Sequence, residues 1–199
     1  MHQKLLTKKF FKDNPYKEIS AQRLIYTLLS YEGIEKLSTE ISQQYLNLST
    51  ERIDRISAER KMIAQLQDPE EILQLMRKNI DGFNRCHLVD KALEFEADML
   101  PLIVDKLTRS DHDTFIDNSV RFLAGCKSDY ATILKHRYGE IRSPYVKSIA
   151  CILLGFKADE SLIPWMLEQF YELKKFYPGE KYDQGPLFGL HELFDRFYK

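Results

Sequence analysis

The fold of this chain is decided by residues 143–177, which read SPYVKSIACILLGFKADESLIPWMLEQFYELKKFY. Ser143 is suited to cap a helix, and Pro144 suits the first helical position, where its missing N–H costs nothing. Gly155 is the expected stop of this helix. The apolar residues between them recur at the spacing of one helical face, and they are Val146, Ile149, Ala150, Leu153 and Leu154.

A second helix is predicted from Ser161 to about Tyr177, where Pro178 and Gly179 end it. Its predicted inner face consists of Ile163, Met166, Leu167 and Phe170. Only a short turn separates the two helices, so they are expected to lie antiparallel as a helical hairpin.

The hairpin has copies along the chain. The segment SLIPWM at 161–166 aligns without a gap with DMLPLI at 98–103, and DYATIL at 129–134 keeps the same pattern. The first helix repeats as well, since residues 115–125 match residues 145–155. Near-constant spacing of such segments is typical of a repeat array. The four predicted helix caps, at intervals of 30, 31 and 32 residues, are Asp68, Asp98, Asp129 and Ser161.

These segments resemble HEAT repeats, in particular the short variety of phycobilin-lyase-like proteins. The resemblance rests on an apolar helix that closes on Leu-Leu-Gly, a short turn, and then Leu-Ile-Pro-Trp-Met-Leu, and it covers roughly residues 50–177. It implies an all-α fold, a right-handed α-solenoid of about four helical hairpins. Tetratricopeptide and ankyrin arrays have similar periods, but their signature residues are missing.

A single domain is expected over residues 1–199, with atypical helical caps at both ends. Residues 1–48 form the predicted N-terminal cap, with helices at 20–30 and from Ile34 to about Leu46. Residues 49–177 hold the repeats, and residues 178–199 form the C-terminal capping helix. The side chains of that last helix expected to pack on the stack are Leu187, Leu190 and Phe194.

Composition limits the classes of function. The 29 basic and 30 acidic residues leave a net charge of −1, which disfavours a dedicated nucleic-acid binder. Cys86, Cys126 and Cys151 are widely spaced and form no CxxC, which favours reduced thiols over disulfides or a zinc cluster. Neither a secretory signal nor a membrane span is recognised. We therefore expect a cytoplasmic protein with no membrane partner.

Catalytic and metal-binding patterns were searched for in the same way. The acidic segment SDHDTFID at 110–117 lacks the glycine and distal glutamate of a calcium loop, and it is expected to cap a helix. No catalytic template such as GxSxG or HExxH occurs. The sequence therefore predicts no catalytic residue, no metal ligand and no cofactor, which argues against an enzyme without excluding one.

Two sets of side chains are candidates for binding a partner. A basic cluster ends one second-position helix just before Gly139, where its charges either meet a partner or simply favour the helix C-terminus. The aromatic set includes Trp165, which shares one helix side with Phe176. We expect Leu187, Phe188 and Phe194 to cover that side. The candidate partner-binding residues are Lys135, His136, Tyr138, Arg142, Trp165, Tyr171 and Tyr182.

The favoured function is a non-enzymatic scaffold or adaptor that binds another protein on the concave face of the stack. The alternative is a nucleic-acid-binding HEAT-like protein, including a DNA-repair glycosylase, because some glycosylases consist of such repeats. A bilin-lyase-like activity is a third possibility, and only the repeat subtype suggests it.

Overall fold

A computed structural model describes residues 49–198, and these residues are all-helical, as predicted. They form no strand. The predicted helices at 20–30 and from Ile34 lie outside the described residues. The α-helices are α1 (Thr50–Gln65), α2 (Pro69–Leu75), α3 (Arg85–Glu94), α4 (Glu96–Leu107), α5 (Asp113–Gly125), α6 (Tyr130–Arg137), α7 (Pro144–Lys157), α8 (Ile163–Phe176) and α9 (Gln184–Phe197). Short 3-10 helices occupy Gly82–Asn84, Tyr138–Glu140 and Glu160–Leu162.

The chain divides into two compact units. Of the described residues, the first unit contains residues 49–67 and Ile80–Lys91. Its buried residue Asn84 donates from Nδ2 to the carbonyl of Ile56 over 2.9 Å and to Glu59 Oε2 over 2.7 Å, which ties the 3-10 helix to α1. The second unit contains Asp68–Asn79 and Ala92–Lys199.

Helices of the second unit contact one another in a regular order. Helix α2 contacts α4, and α4 contacts α6, while α5 contacts α7 and α7 contacts α9. Successive helices are also in contact: α4 contacts α5, and α6 contacts α7. Contacts between helices two places apart are those expected when consecutive helix pairs pack side by side.

Polar ties join residues about thirty positions apart. The Glu96 carboxylate accepts hydrogen bonds from the backbone N–H groups of Lys127 and Ser128, over 3.1 and 2.7 Å. A hydrogen bond with the Ser128 side chain is the largest cause that lowers the pKa of Glu96, and the two backbone bonds lower it further. Further along, the Arg137 guanidinium donates to Asp105 over 3.0 Å. Each tie fastens one helix pair to the next.

Two of the four predicted caps are confirmed. Asp68 accepts from the backbone N–H of Glu70 at the start of α2, and Asp129 accepts from that of Ala131 at the start of α6. The predicted start of α7 is confirmed too, because Ser143 Oγ accepts from the backbone N–H of Val146. In each case a side chain bonds to its own nearby backbone, which is a local property that sequence reveals.

The predicted caps at Asp98 and Ser161 are wrong. Only Phe95 separates α3 from α4, and its carbonyl already accepts from Asp98 and Met99, so α4 begins at Glu96 and Pro101 lies inside it. Ser161 lies within a 3-10 helix, where its backbone N–H donates to the Asp159 carboxylate over 2.9 Å. At both positions, the conformation of the linker before the helix decides where the helix begins.

The sequence predicts that Gly155 ends α7. In the structure, Gly155 instead lies buried within that helix. A Cβ built on Gly155 would come 2.5 Å from the Cα of Gly189 in α9, and one on Gly189 would come 2.4 Å from the Cys151 carbonyl oxygen. A Cβ on Gly185 would lie 2.0 Å from the Ser148 carbonyl oxygen. Helices α7 and α9 therefore meet backbone to backbone, at a distance that only glycine allows.

This close contact decides which face of α9 is buried. Leu190 and Leu193 lie in the core, as the sequence predicts for Leu190. The same expectation is wrong for Leu187 and Phe194, which are 54% and 49% exposed. Since the small residues of α9 face α7, its bulky residues on the far side turn to solvent.

Substitution of Gly189 by alanine should destabilise the protein. Its methyl group would overlap the Cys151 carbonyl, so we expect the free energy of unfolding to fall by about 2–3 kcal/mol, the range typical of overpacking. Urea denaturation followed by far-UV circular dichroism measures this change. Gly139→Ala is the control, because a Cβ there meets no atom within 4 Å. Equal stability of the two variants would contradict the close α7–α9 contact.

Candidate functional site

A cleft of about 660 Å³ lies between α6 and the connection from α7 to α8. Two of the predicted binding residues, Lys135 and His136, line it. We call it the mixed-charge cleft, because it also holds two carboxylates and a second lysine. Its lining residues are Asp129, Ala131, Thr132, Lys135, His136, Leu154, Lys157, Ala158, Asp159, Ser161 and Leu162.

The two carboxylates of the cleft are engaged at helix starts. Asp129 accepts from the backbone N–H of Ala131 and, over 2.6 Å, from the Thr132 hydroxyl. Asp159 accepts from the backbone N–H of Ser161. Hydrogen bonds with Thr132 and Ser161 lower the pKa of Asp129 and of Asp159 respectively. Both aspartates are therefore charged at neutral pH, with much of their hydrogen-bonding capacity used inside the protein.

The cations of the cleft are less committed. Lys135 Nζ lies 6.0 Å from the centroid of the Trp165 ring, and no carboxylate of the described residues lies within ion-pair distance of it. Lys157 Nζ donates to the Lys127 carbonyl over 3.2 Å. His136 is an exposed residue. Positively charged groups are therefore the ones most available to a ligand in this cleft, although the formal charges of its lining residues nearly cancel.

Trp165 lies beside the cleft and is held in place by a buried tyrosine. The rings of Trp165 and Tyr138 meet edge to face, with their centroids 4.8 Å apart. Tyr138 is only 5% exposed, and its hydroxyl accepts from the Cys151 thiol over 3.5 Å. Burial raises the pKa of the Tyr138 hydroxyl. Tyr138 therefore orients Trp165, and its burial keeps its own ring from direct contact with a partner.

The expected lid over the Trp165 side of α8 is not formed. Leu187, Phe188 and Phe194 are all about half exposed, and Phe176 is 66% exposed. Trp165 is partly covered by Tyr138 and Lys135 instead. The prediction of a lid is wrong because it assumed that the bulky face of α9 packs inward.

A second surface depression, the aromatic groove, has a volume of about 480 Å³. It lies between the first halves of α7 and α9 and the loop before α9. Tyr182 lines it and meets Tyr177 edge to face at 5.7 Å. The full lining comprises Tyr145, Ser148, Ile149, Ile152, Gly179, Glu180, Lys181, Tyr182, Gln184, Gly185 and Phe188.

The predicted residues thus do not form one site. Lys135 and His136 share the mixed-charge cleft with Trp165 beside it, whereas Tyr182 belongs to the aromatic groove. Tyr171 is 66% exposed and Arg142 is also exposed, and neither lines either depression.

Sequence reasoning missed Lys157 and Asp159, which belong to the helix pair after that of Lys135. The signal that could have found them is the cap spacing: Asp129 and Asp159 start helical segments thirty residues apart. Residues one repeat apart lie side by side when helix pairs stack. The two helix starts therefore meet across the cleft.

A helix begins in the acidic segment 110–117, as predicted, but its capping side chain is His112 rather than one of the aspartates. Helix α5 begins at Asp113, and His112 Nδ1 accepts from the backbone N–H of Phe115 over 3.4 Å. Within residues 49–198, no three His, Cys, Asp or Glu side chains are grouped so as to hold a metal ion. Burial raises the pKa of Cys126 and of Cys151 to about 12, which keeps both thiols uncharged at neutral pH.

Among the helices of residues 49–198, none combines the length and the hydropathy that a membrane span requires. Comparisons of the chain with protein-family models, curated proteins and solved structures found no match.

Asp129→Ala should weaken the start of α6. Loss of an aspartate cap costs about 1 kcal/mol of unfolding free energy at neutral pH, and we expect that loss here. The folded-state pKa of Asp129 is lowered, so its contribution is present above the unfolded pKa and is lost as pH falls through the folded value. Urea denaturation should therefore give a smaller difference from wild type at about pH 2 than at neutral pH.

Asp129→Asn is the matched control, because asparagine also caps helices and does not titrate. A stability difference between Asp129→Ala and wild type that did not change with pH would contradict the role of the charged carboxylate.

Proposed function

We propose that the chain is a non-enzymatic scaffold that binds another protein through the mixed-charge cleft and Trp165. The observation that carries this proposal is the chemistry of the cleft: two lysines and two aspartates line it together, with a partly exposed tryptophan at its side. A nucleic-acid site would instead gather positive charge along its whole length. Mixed charge with an aromatic anchor favours a protein surface.

The helical architecture supports the same function. We propose that the helix pairs of the second unit form a HEAT-like, right-handed solenoid in which α4, α6 and α8 line the concave face. The contacts of α2 with α4 and of α4 with α6 support this arrangement. The mixed-charge cleft, bounded by α6 and the connection from α7 to α8, would then open on the concave face, where repeat proteins commonly bind partners.

The cleft also favours one kind of partner segment. Its aspartates are already bonded to helix starts, whereas Lys135 lies beside the Trp165 ring, near enough to Asp159 to help lower the pKa of that carboxyl but with no ion pair of its own among the described residues. A carboxylate from a partner would gain an ion pair with Lys135 without breaking an existing one, and an apolar group next to it would cover Trp165. We therefore propose that the partner presents an acidic side chain beside an apolar one.

Charge reversal in the cleft tests this proposal. Lys135→Glu should weaken partner binding at least tenfold, about 1.4 kcal/mol, because it replaces the ammonium group that meets the partner's carboxylate with another carboxylate. Trp165→Ala should also lower binding, through loss of apolar contact area. Both are measured by affinity capture of the tagged full chain from its native cells with quantitative mass spectrometry, followed by titration of the captured partner.

The matched control is Lys174→Glu, which reverses an exposed lysine on α8 beside Phe170, away from the cleft lining. The proposal fails if the same proteins bind the Lys135→Glu variant and wild type equally well. It also fails if the purified chain binds no protein and turns over a substrate.

Nucleic-acid binding is the second candidate, because Lys135, His136 and Lys157 share the cleft. Asp129 and Asp159 oppose it by repelling phosphate. A gel-shift titration at low salt with duplex and single-stranded DNA decides between the two. We expect no salt-sensitive binding, and a shift that Lys135→Glu removes would favour nucleic acid over a protein partner.

A further inference from the structure

The outer face of α9 carries an apolar stripe that nothing in the described residues covers. Leu187, Phe194 and Tyr198 are 54%, 49% and 63% exposed, and His191 lies between them with a side chain 68% exposed. The Phe194 and Tyr198 rings lie 5.4 Å apart, so the stripe is continuous at its end. These four side chains, which we call the α9 stripe, lie opposite the glycines that face α7.

The spacing of the stripe is that of a helix–helix seam. Its residues follow one another by four, three and four positions, the alternation of core positions in a heptad. A seam of this kind accepts the side chains of a second helix between its own. The stripe therefore fits a helical occupant better than an extended strand or a small molecule.

The area of the patch is that of a dimer interface. Phe188 and Phe197 flank the stripe and are 56% and 41% exposed. A half-exposed side chain of this size presents about 100 Å², so the six side chains of the stripe and its flanks present about 600 Å², and the five other than His191 contribute about 500 Å² of mainly apolar surface. A stable homodimer buries about 800 Å² per subunit, about 65% of it apolar. The apolar area agrees with that requirement.

We propose that the α9 stripe is a homodimer interface, in which α9 packs antiparallel against α9 of a second copy of this chain. Antiparallel packing places Leu187 opposite Tyr198 and His191 opposite Phe194, so the imidazole of His191 meets a ring. Parallel packing would instead set the two His191 side chains against each other. The same surface serves both copies, as a two-fold interface requires.

The interface would also continue a packing order that the second unit already has. Helix α7 packs on α5, and α9 packs on α7. The α9 stripe is the outermost surface of that series, and the second copy's α9 would add the next layer. The proposal does not rest on the proposed function, because none of the four stripe residues lines the mixed-charge cleft.

The oligomeric state of the full chain tests the proposal. Light scattering coupled to size exclusion, with the chain loaded at micromolar concentrations, should give twice the chain mass of 23.5 kDa. The double variant with Leu187→Glu and Phe194→Glu should give a monomer with unchanged helix content. Tyr171→Glu is the matched control, since Tyr171 is 66% exposed on α8 and should leave the dimer intact.

Cross-linking tests the antiparallel arrangement. Leu187→Cys combined with Tyr198→Cys should form a disulfide-linked dimer under mild oxidation, whereas Leu187→Cys alone should not, and wild type reports on the natural thiols. A monomeric wild type, or a dimer that survives the two glutamates, would overturn the proposal. Efficient cross-linking of Leu187→Cys alone would overturn the antiparallel pairing.

Discussion

The rest of the second unit depends on the contact between the backbones of α7 and α9. Gly155 and Gly189 allow that contact, and Gly185 allows it one turn away against Ser148. The short distance leaves no room for large side chains between the helices, so the bulky residues of α9 point elsewhere. Arg196 then closes the contact by donating to the Gly155 carbonyl over 2.8 Å, which satisfies a group left free at the end of α7.

Local features were predictable from the sequence, and features that depend on distant partners were not. Asp68, Asp129 and Ser143 cap their helices because each side chain reaches its own backbone. Gly155 has the sequence context of a helix stop, yet its role is set by a glycine 34 positions later. Leu187 has the apolar character of a core residue, and only the helix that packs on α9 decides its exposure.

In the candidate site, too, some residues could be predicted from the sequence and others could not. Lys135 and His136 stand out in sequence because they are adjacent and basic. The carboxylates that share their cleft do not, since Asp129 reads simply as a helix cap and the sequence predicts the next cap at Ser161 rather than at Asp159. Only the packing of consecutive helix pairs reveals that these caps also set the charge balance of a cleft, so that structural residues determine what the cleft can attract.

The glycine contact has a consequence for variation among copies of this gene. At Gly155, Gly185 and Gly189, every amino-acid replacement adds at least a Cβ, and each such atom would lie within 2.5 Å of backbone. No amino-acid replacement at these three positions is therefore expected to be neutral, whereas at Gly139 an added Cβ meets no atom within 4 Å. We therefore expect selection against replacements at the three sites even in lineages where the binding surfaces diverge, so that these glycines would be conserved for packing alone.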